Sequence, residues 1–315
     1  MFKRKFEMKK VILSCVILTM VFVSCKKEHK TPTPTPDTKK YQVVFNVSTP
    51  ANTTSHSVNN PHINSIVANA VGDLSAIDNL FYAAYGSNGK LVSNIYQTSD
   101  FANFGQISDD LPADTYTIVI VGGKKGINFS YYDGLNKTLS SAIIAGYGSA
   151  APPLPWDDTF FKKFSVTVSG SSISQDVILS RIVGQLTVDI QDALPANASK
   201  LIVSISKEYT NYTFAGATPS NPFAGAYVQT ITLLASVLGT TDYKISTIMI
   251  NTITPFDVKI SCVDANNTFL GQATVTDVTL SPNTQTILSG KLFGSDNGFS
   301  FSLNEAWNPT ITIHY

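Results

Sequence analysis

The residues able to do covalent or metal chemistry are few in this 315-residue sequence, and their spacing does not suit it. There are four histidines: His29, His56, His62 and His314. None lies in an H-E-x-x-H pattern, which would set two ligands on one helix face. His56 and His62 stand six apart in a Ser/Asn-rich stretch and read as solvated loop residues. The chain contains no G-x-S-x-G elbow, no phosphate-cradling G-x-x-x-x-G-K-[ST] loop and no G-x-G-x-x-G turn. Beyond residue 25 the only glutamates are Glu28, Glu208 and Glu305, which disfavours a paired-glutamate glycosidase. Asp109, Asp110 and Asp114 crowd one segment, and Asp157-Asp158 follow Trp156. Such carboxylates suit either calcium or turn formation, and turn formation is the expectation. Arg181 is the only arginine beyond residue 25 and is expected to pair with a carboxylate near a domain junction. Cys262 is expected to be a small buried hydrophobe on a strand. This inventory predicts no enzyme, no cofactor and no metal. The remaining lead for binding is aromatic. Tyr131, Tyr132, Tyr147 and Trp156 fall in one long Gly/Ala/Ser/Pro-rich insertion, either as an exposed platform or packed onto a sheet.

The elements around these residues read as strands. Apolar residues alternate with period two at Val43/Phe45/Val47, Tyr116/Ile118/Ile120 and Phe164/Val166/Val168, the signature of half-buried strands. Leu80 to Tyr85 and Leu91 to Tyr96 flank Ser87-Asn88-Gly89, and Asn-Gly predicts a hairpin with positive φ at both turn positions. Gly126 to Asp158 reads as loop with at most one short helix. Further strands are expected at Ile182–Ile190, Leu201–Ile205, Tyr227–Leu234, Tyr243–Ile250, Phe256–Val263, Phe269–Val275 and Thr284–Phe293. Gly170-Ser171-Ser172 and Gln175-Asp176 are expected to interrupt the strands, which puts a domain boundary near 175–180. Many short strands with regular turns predict an all-β chain of two tandem antiparallel β-sandwich domains, residues 41–176 and 177–315. The alternating Thr310 to Tyr315 reads as the final strand of the second sandwich, with a donated or docking strand as the alternative.

The first 40 residues are different. Lys3, Arg4, Lys5, Lys9 and Lys10 precede an apolar run, Val11 to Val23, shorter than the roughly 20 residues of a spanning helix. A basic start and short apolar core is the secretory pattern, so residues 1–24 are expected to be a signal peptide, with Met8 an alternative start. Phe22-Val23-Ser24-Cys25 resembles the lipobox of bacterial lipoproteins, although Phe22 stands where leucine is usual. That resemblance implies acylation of Cys25 and anchoring to a membrane, outer-membrane and cell-surface. Residues 25–40 then form a tether, whose Thr31-Pro32-Thr33-Pro34-Thr35-Pro36 favours extended polyproline geometry. Beyond the tether, residues 41–315 carry 12 Lys and Arg against 19 Asp and Glu, a net −7. An acidic body argues against nucleic acid as a partner.

Four segments, in order, resemble one family. Leu111-Pro112-Ala113-Asp114-Thr115-Tyr116 is similar to the L-P-x-G-x-Y strand start of fimbrillin-type proteins. Leu179-Ser180-Arg181-Ile182-Val183-Gly184-Gln185-Leu186 is similar to the opening of their second domain. Leu280-Ser281-Pro282-Asn283 with Leu288 to Phe293 resembles their late hairpin, and Phe299 to Leu303 with Trp307 resembles their closing segment. The chain thus resembles the fimbrillin superfamily of Bacteroidetes surface lipoproteins, the stalk, tip and anchor subunits of pili. The resemblance implies two transthyretin-like sandwiches that engage fimbrial partners by strand addition, where main-chain bonds give affinity and alternate side chains fill pockets. In stalk subunits of that family an N-terminal strand is cut away, often after arginine. Here no arginine lies between Cys25 and Arg181, which favours an anchor or accessory role with the lipid retained. The aromatic insertion supports an alternative, a glycan-binding lipoprotein of a polysaccharide-uptake system. A host protein or glycan is a further expected partner class.

Overall fold

The computed structural model describes residues 39–50, 74–124, 128–146, 156–294 and 298–304. Cys25, residues 26–38 of the tether and the segment from Thr310 to Tyr315 lie outside these.

Among the described residues there is no α-helix, only strands and two single 3-10 turns, Gly134–Asn136 and Ala235–Val237. The first half contains β1 (Lys40–Ser48), β2 (Asn79–Tyr85), β3 (Leu91–Thr98), β4 (Gln106–Pro112) and β5 (Asp114–Gly123). It continues with β6 (Phe129–Tyr131), β7 (Ala142–Ala145), β8 (Thr159–Val168), β9 (Ile173–Ile178) and β10 (Ser180–Arg181). The second half contains β11 (Gly184–Ile190), β12 (Ala198–Ile205), β13 (Tyr209–Thr213), β14 (Thr218–Pro222) and β15 (Tyr227–Thr232). It ends with β16 (Tyr243–Met249), β17 (Phe256–Asp264), β18 (Phe269–Val278), β19 (Gln285–Lys291) and β20 (Gly298–Asn304).

One sheet topology occurs twice. In the first half the sheets run β4-β1-β9 and β10-β8-β5-β2-β3. In the second they run β16-β11-β19-β20 and β18-β17-β12-β15. In each half the opening strand pairs antiparallel on one side and parallel on the other: β1 with β4 and β9, β11 with β16 and β19. Two differences stand out. The second half adds β20 beside β19, whereas no described strand lies on the outer side of β9. The first half adds the short β10 beside β8.

The predicted alternation is observed. Val43, Phe45 and Val47 point from β1 into a core shared with Tyr116, Ile118 and Ile120 of β5 and Phe160, Val166 and Val168 of β8. Complete burial of a side chain such as Phe45 contributes about 1.5–3 kcal/mol. The second core gathers Leu186, Val188 and Ile190 with Leu201, Val203, Ile205, Val258, Ile260 and Cys262. The Cys262 thiol is free and buried, and its removal from water pushes its pKa up to about 11, so it is an inert packing group.

Three expectations are corrected in detail. Gln175-Asp176 does not interrupt the strands but lies within β9, whose Val177 is buried in the first core while Ser174, Gln175 and Asp176 are exposed. The Ser87-Asn88-Gly89 turn has only Gly89 at positive φ, 72°. Its bonds run from Gly89 N to Gly86 O and from Gly86 N to Lys90 O, with a register shift at Tyr85, the pattern of a turn followed by a glycine bulge. The 126–158 insertion contributes β6 and β7, which join β13 and β14 of the second half in a fifth sheet, β14-β13-β7-β6. That sheet covers the far face of the five-stranded sheet, so β2 and β5 are buried on both sides.

Candidate interaction surface

The fifth sheet is where most of the singled-out residues meet. Register places Phe129, Ile144 and Tyr212 opposite one another on its inner face. There Phe129 stacks on Phe81 at 3.9 Å, and Phe161 meets Tyr212 and Phe214 edge-on at 5.2 and 5.8 Å. Tyr131 belongs to this inner layer. Its hydroxyl lies 3.0 Å from that of Tyr85, and burial raises its pKa. Trp156 is buried, and its indole Nε1 donates to the Tyr209 carbonyl at 3.0 Å, so it fastens the insertion to β13 instead of facing solvent. Gly146 allows this closure: a Cβ there would stand 2.7 Å from the Thr210 oxygen and 3.2 Å from the Trp156 ring. Of the three insertion aromatics that are described, Tyr132 alone is open, 64 % exposed, with its hydroxyl accepting a hydrogen bond from Asn211 Nδ2. Tyr147 lies outside the described residues. Of the three described aromatics, two are interior and one is exposed.

Arg181 pairs with a carboxylate, as its isolation suggested. Its Nε and Nη2 bond Asp158 Oδ1 and Oδ2 at 2.6 and 2.9 Å, its Nη1 donates to Asn283 Oδ1 at 2.6 Å, and its guanidinium sits 4.8 Å from the Phe160 ring centre. The fork-on-fork contact is the strong geometry for this pair. Burial pushes the Asp158 carboxyl above its usual range, and the guanidinium pulls against that. Gly184, three residues on, must be small, because a Cβ would stand 2.5 Å from Leu280 Cγ and 2.7 Å from the Ser281 carbonyl. Asp114 opens β5 and holds the β2–β3 loop against it: its Oδ2 accepts from the Ser87 amide and hydroxyl at 3.1 and 3.2 Å, which with the Thr115 amide holds its pKa below normal.

Glu208 carries the largest carboxyl perturbation. Only 5 % exposed, it sits between β12 and β13. Its Oε1 accepts the amides of Tyr209 and Asn251 at 2.8 and 3.0 Å, while Oε2 is buried without a hydrogen-bond partner. Desolvation pushes its pKa up to about 8, so it is largely neutral at pH 7. Asn251 completes the tie through Nδ2 to the Lys207 carbonyl at 3.1 Å. Among the described residues no three or more His, Cys, Asp or Glu side chains group closely enough to hold a metal.

No family model matches the chain, and no curated protein matches it in sequence. Solved structures do. A candidate adhesin from Bacteroides ovatus aligns over 84 % of this chain and 95 % of its own, with TM-score 0.53 and 12 % identity. A candidate polysaccharide-binding protein from Bacteroides thetaiotaomicron aligns over 84 % and 96 %, at 0.54 and 8 %. The fold is shared with these proteins. The fimbrial anchor protein Mfa2 from Porphyromonas gingivalis also aligns, over 84 % and 98 %, at 0.50 and 13 %. At such identities the likeness shows architecture alone, an all-β fold.

The sequence reading missed β13 and β14, and with them Asn211 and Ser220. Tyr209-Thr210-Asn211-Tyr212-Thr213 is five residues long, its two tyrosines stand three apart instead of two, and its partner strand contains two prolines, so it carried no period-two signal.

Proposed function

We propose that the chain is a non-enzymatic surface lipoprotein, an accessory or anchor subunit of a fimbria that acts through contacts of its sheet edges. Residues 1–24 direct export, Cys25 carries the lipid, residues 25–40 are the tether, and two sandwich domains follow, with β9 and β10 completing the sheets of the first. The carrying observation is the outer edge of β9. In the second half β20 occupies the equivalent edge, of β19; beside β9 there is no strand among the described residues. An edge strand offers unpaired amides and carbonyls to an incoming strand, and the exposed Ser174, Gln175 and Asp176 keep it from pairing indiscriminately. The similarity to adhesin and fimbrial-anchor folds supports the same reading.

The test is photo-crosslinking in cells. A crosslinker at Gln175 is expected to trap another fimbrial subunit, whereas one at Lys259, on the central strand β17, gives no such product. A Gln175 probe that traps no protein in cells assembling fimbriae overturns the proposal. Palmitate labelling that is lost in Cys25→Ser checks the lipid.

One observation favours a second reading, a glycan-binding lipoprotein: Tyr132 is an exposed ring held in place by an amide.

A further inference from the structure

β3 is the outermost strand of the five-stranded sheet, and among the described residues no strand lies beyond it. The Ser99 amide bonds the Asp78 carbonyl at 2.8 Å. By alternation the amides and carbonyls of Gln97 and Ile95 point to β2, and those of Tyr96 and Asn94 point outward. One end of this edge is closed: the Leu91 amide donates to the Lys137 carbonyl at 3.0 Å, and Lys90 pairs with Thr138. At the other end the chain turns, the Phe101 amide donating to the Thr98 carbonyl at 2.9 Å. The open stretch is therefore residues 92–98, with Val92, Asn94 and Tyr96 exposed. The Tyr96 hydroxyl donates to Asn79 Oδ1 on β2 at 2.6 Å, which ties its ring back over its own sheet and leaves the edge clear.

Sheet edges are usually guarded by charge, proline or bulges, because a bare edge pairs with another chain. β9 has Asp176, β14 has two prolines and β18 has two register shifts. Leu91–Thr98 contains no charged residue, no proline and no glycine, and the register shift of β3 lies at its start, beside Leu91. β15 is also neutral, but it is six residues long against eight for β3, and no charge flanks it.

We propose that this edge joins two copies of the chain, β3 against β3, antiparallel about a two-fold axis at Ile95. A symmetric pair shares one centre, and residue 95 is the midpoint of the open stretch. That register sets Asn94 opposite Tyr96 of the second copy, and Val92 opposite Thr98. The outward amides and carbonyls of Asn94 and Tyr96 then meet on both sides of the axis. Just beyond the ladder, Lys90 stands opposite Asp100 of the second copy, and both are exposed. This happens twice, so each end of the paired strands matches unlike charges. Moving the centre by one residue sets Lys90 opposite Thr98 or Ala102 and loses the match. The uncharged middle brings no like charges together, which is what a self-paired edge requires. This edge is distinct from that of β9, and the pairing does not depend on the fimbrial role.

The experiment is sedimentation velocity over a concentration series, on the chain from residue 25 with Cys25→Ser. A monomer–dimer equilibrium is expected. Asn94→Lys, which sets two like charges diagonally across the axis, is expected to weaken it about tenfold or more. Thr230→Lys, on the edge of β15, leaves it unchanged. Circular dichroism melting checks that Asn94→Lys, a change at an exposed position, folds as the parent does. The register is read by mixing Asn94→Cys chains with Tyr96→Cys chains and oxidising them. A disulfide-linked pair is expected, since hydrogen-bonded partners stand about 5.5 Å apart at Cα, within disulfide reach. Val92→Cys with Tyr96→Cys is expected to link far less. A chain that stays monomeric throughout, a dimer unchanged in Asn94→Lys, or preferred linkage of Val92→Cys to Tyr96→Cys overturns the proposal. The fimbrial crosslink from Gln175 is expected to persist in Asn94→Lys, so failure of either edge is read on its own.

Discussion

Arg181 donates to Asn283 at 2.6 Å, a bond between residues 102 apart in the chain. Arg181 ends the pairing of β10 with β8, and Asn283 lies in the turn between β18 and β19, so one guanidinium spans strands of both halves. It is 5 % exposed. Removing either member of the Arg181–Asp158 pair leaves the other charge buried, at a cost of about 3–5 kcal/mol. Arg181→Ala and Asp158→Ala are each expected to lower the urea midpoint sharply, with the double variant less destabilised than the sum of the two, as equilibrium denaturation measures.

The same burial predicts resistance to cleavage. Trypsin needs an extended, accessible arginine, and Arg181 is held by three hydrogen bonds to Asp158 and Asn283. In limited trypsin digestion, mass spectrometry is expected to find no cut after Arg181 in the folded chain, and a cut there once Asp158→Ala loosens the pair.

Glu208 predicts a falling stability with rising pH. Its folded pKa, about 8, is raised above the ordinary 4.5 by desolvation. Between those values the folded state holds a proton that the unfolded chain has released, so stability declines as pH rises from about 4.5 and levels off above about 8. The loss amounts to a few kcal/mol, since each pKa unit is worth about 1.4 kcal/mol. Glu208→Gln is expected to flatten this slope, read as Tm against pH from 5 to 9.

Tyr116 predicts a small, specific effect. Its hydroxyl donates to the Pro112 carbonyl at 2.9 Å, closing the corner between β4 and β5. Tyr116→Phe is expected to lose about 1 kcal/mol by chemical denaturation. The buried ring should hold its place.

Gly184 predicts a steric effect. With Leu280 Cγ 2.5 Å and the Ser281 carbonyl 2.7 Å from a Cβ at this position, Gly184→Ala forces β11 away from the following turn. Overpacking of this kind costs about 1–3 kcal/mol, which a urea titration would register.

Much of this fold was legible in the sequence, because period-two burial is a local signal. Val43, Phe45 and Val47 announced β1, and Tyr116, Ile118 and Ile120 announced β5. Short motifs also carried three-dimensional meaning. The spacing from Pro112 to Tyr116 is that of a tyrosine reaching back to a carbonyl, and the spacing from Arg181 to Gly184 sets a buried ion pair beside a close approach. What stayed hidden was non-local. The parallel pairing of β1 with β9 and of β11 with β19 depends on partners a hundred or more residues apart. Asn211 meets Tyr132 only because the fifth sheet draws strands from both halves, and nothing near either residue signals the other. Trp156 illustrates the same limit: its Gly/Pro-rich segment left platform and packing both open, and only the distant Tyr209 carbonyl shows where its Nε1 goes.

The position of β1 between β4 and β9 has a mechanical consequence. A pull applied at Lys40 acts along the length of β1. Seven paired positions with β4 and six with β9 then resist together, in shear, instead of parting one after another like a zip. A protein held at its N-terminal end against flow would take the load on a strand braced from both sides.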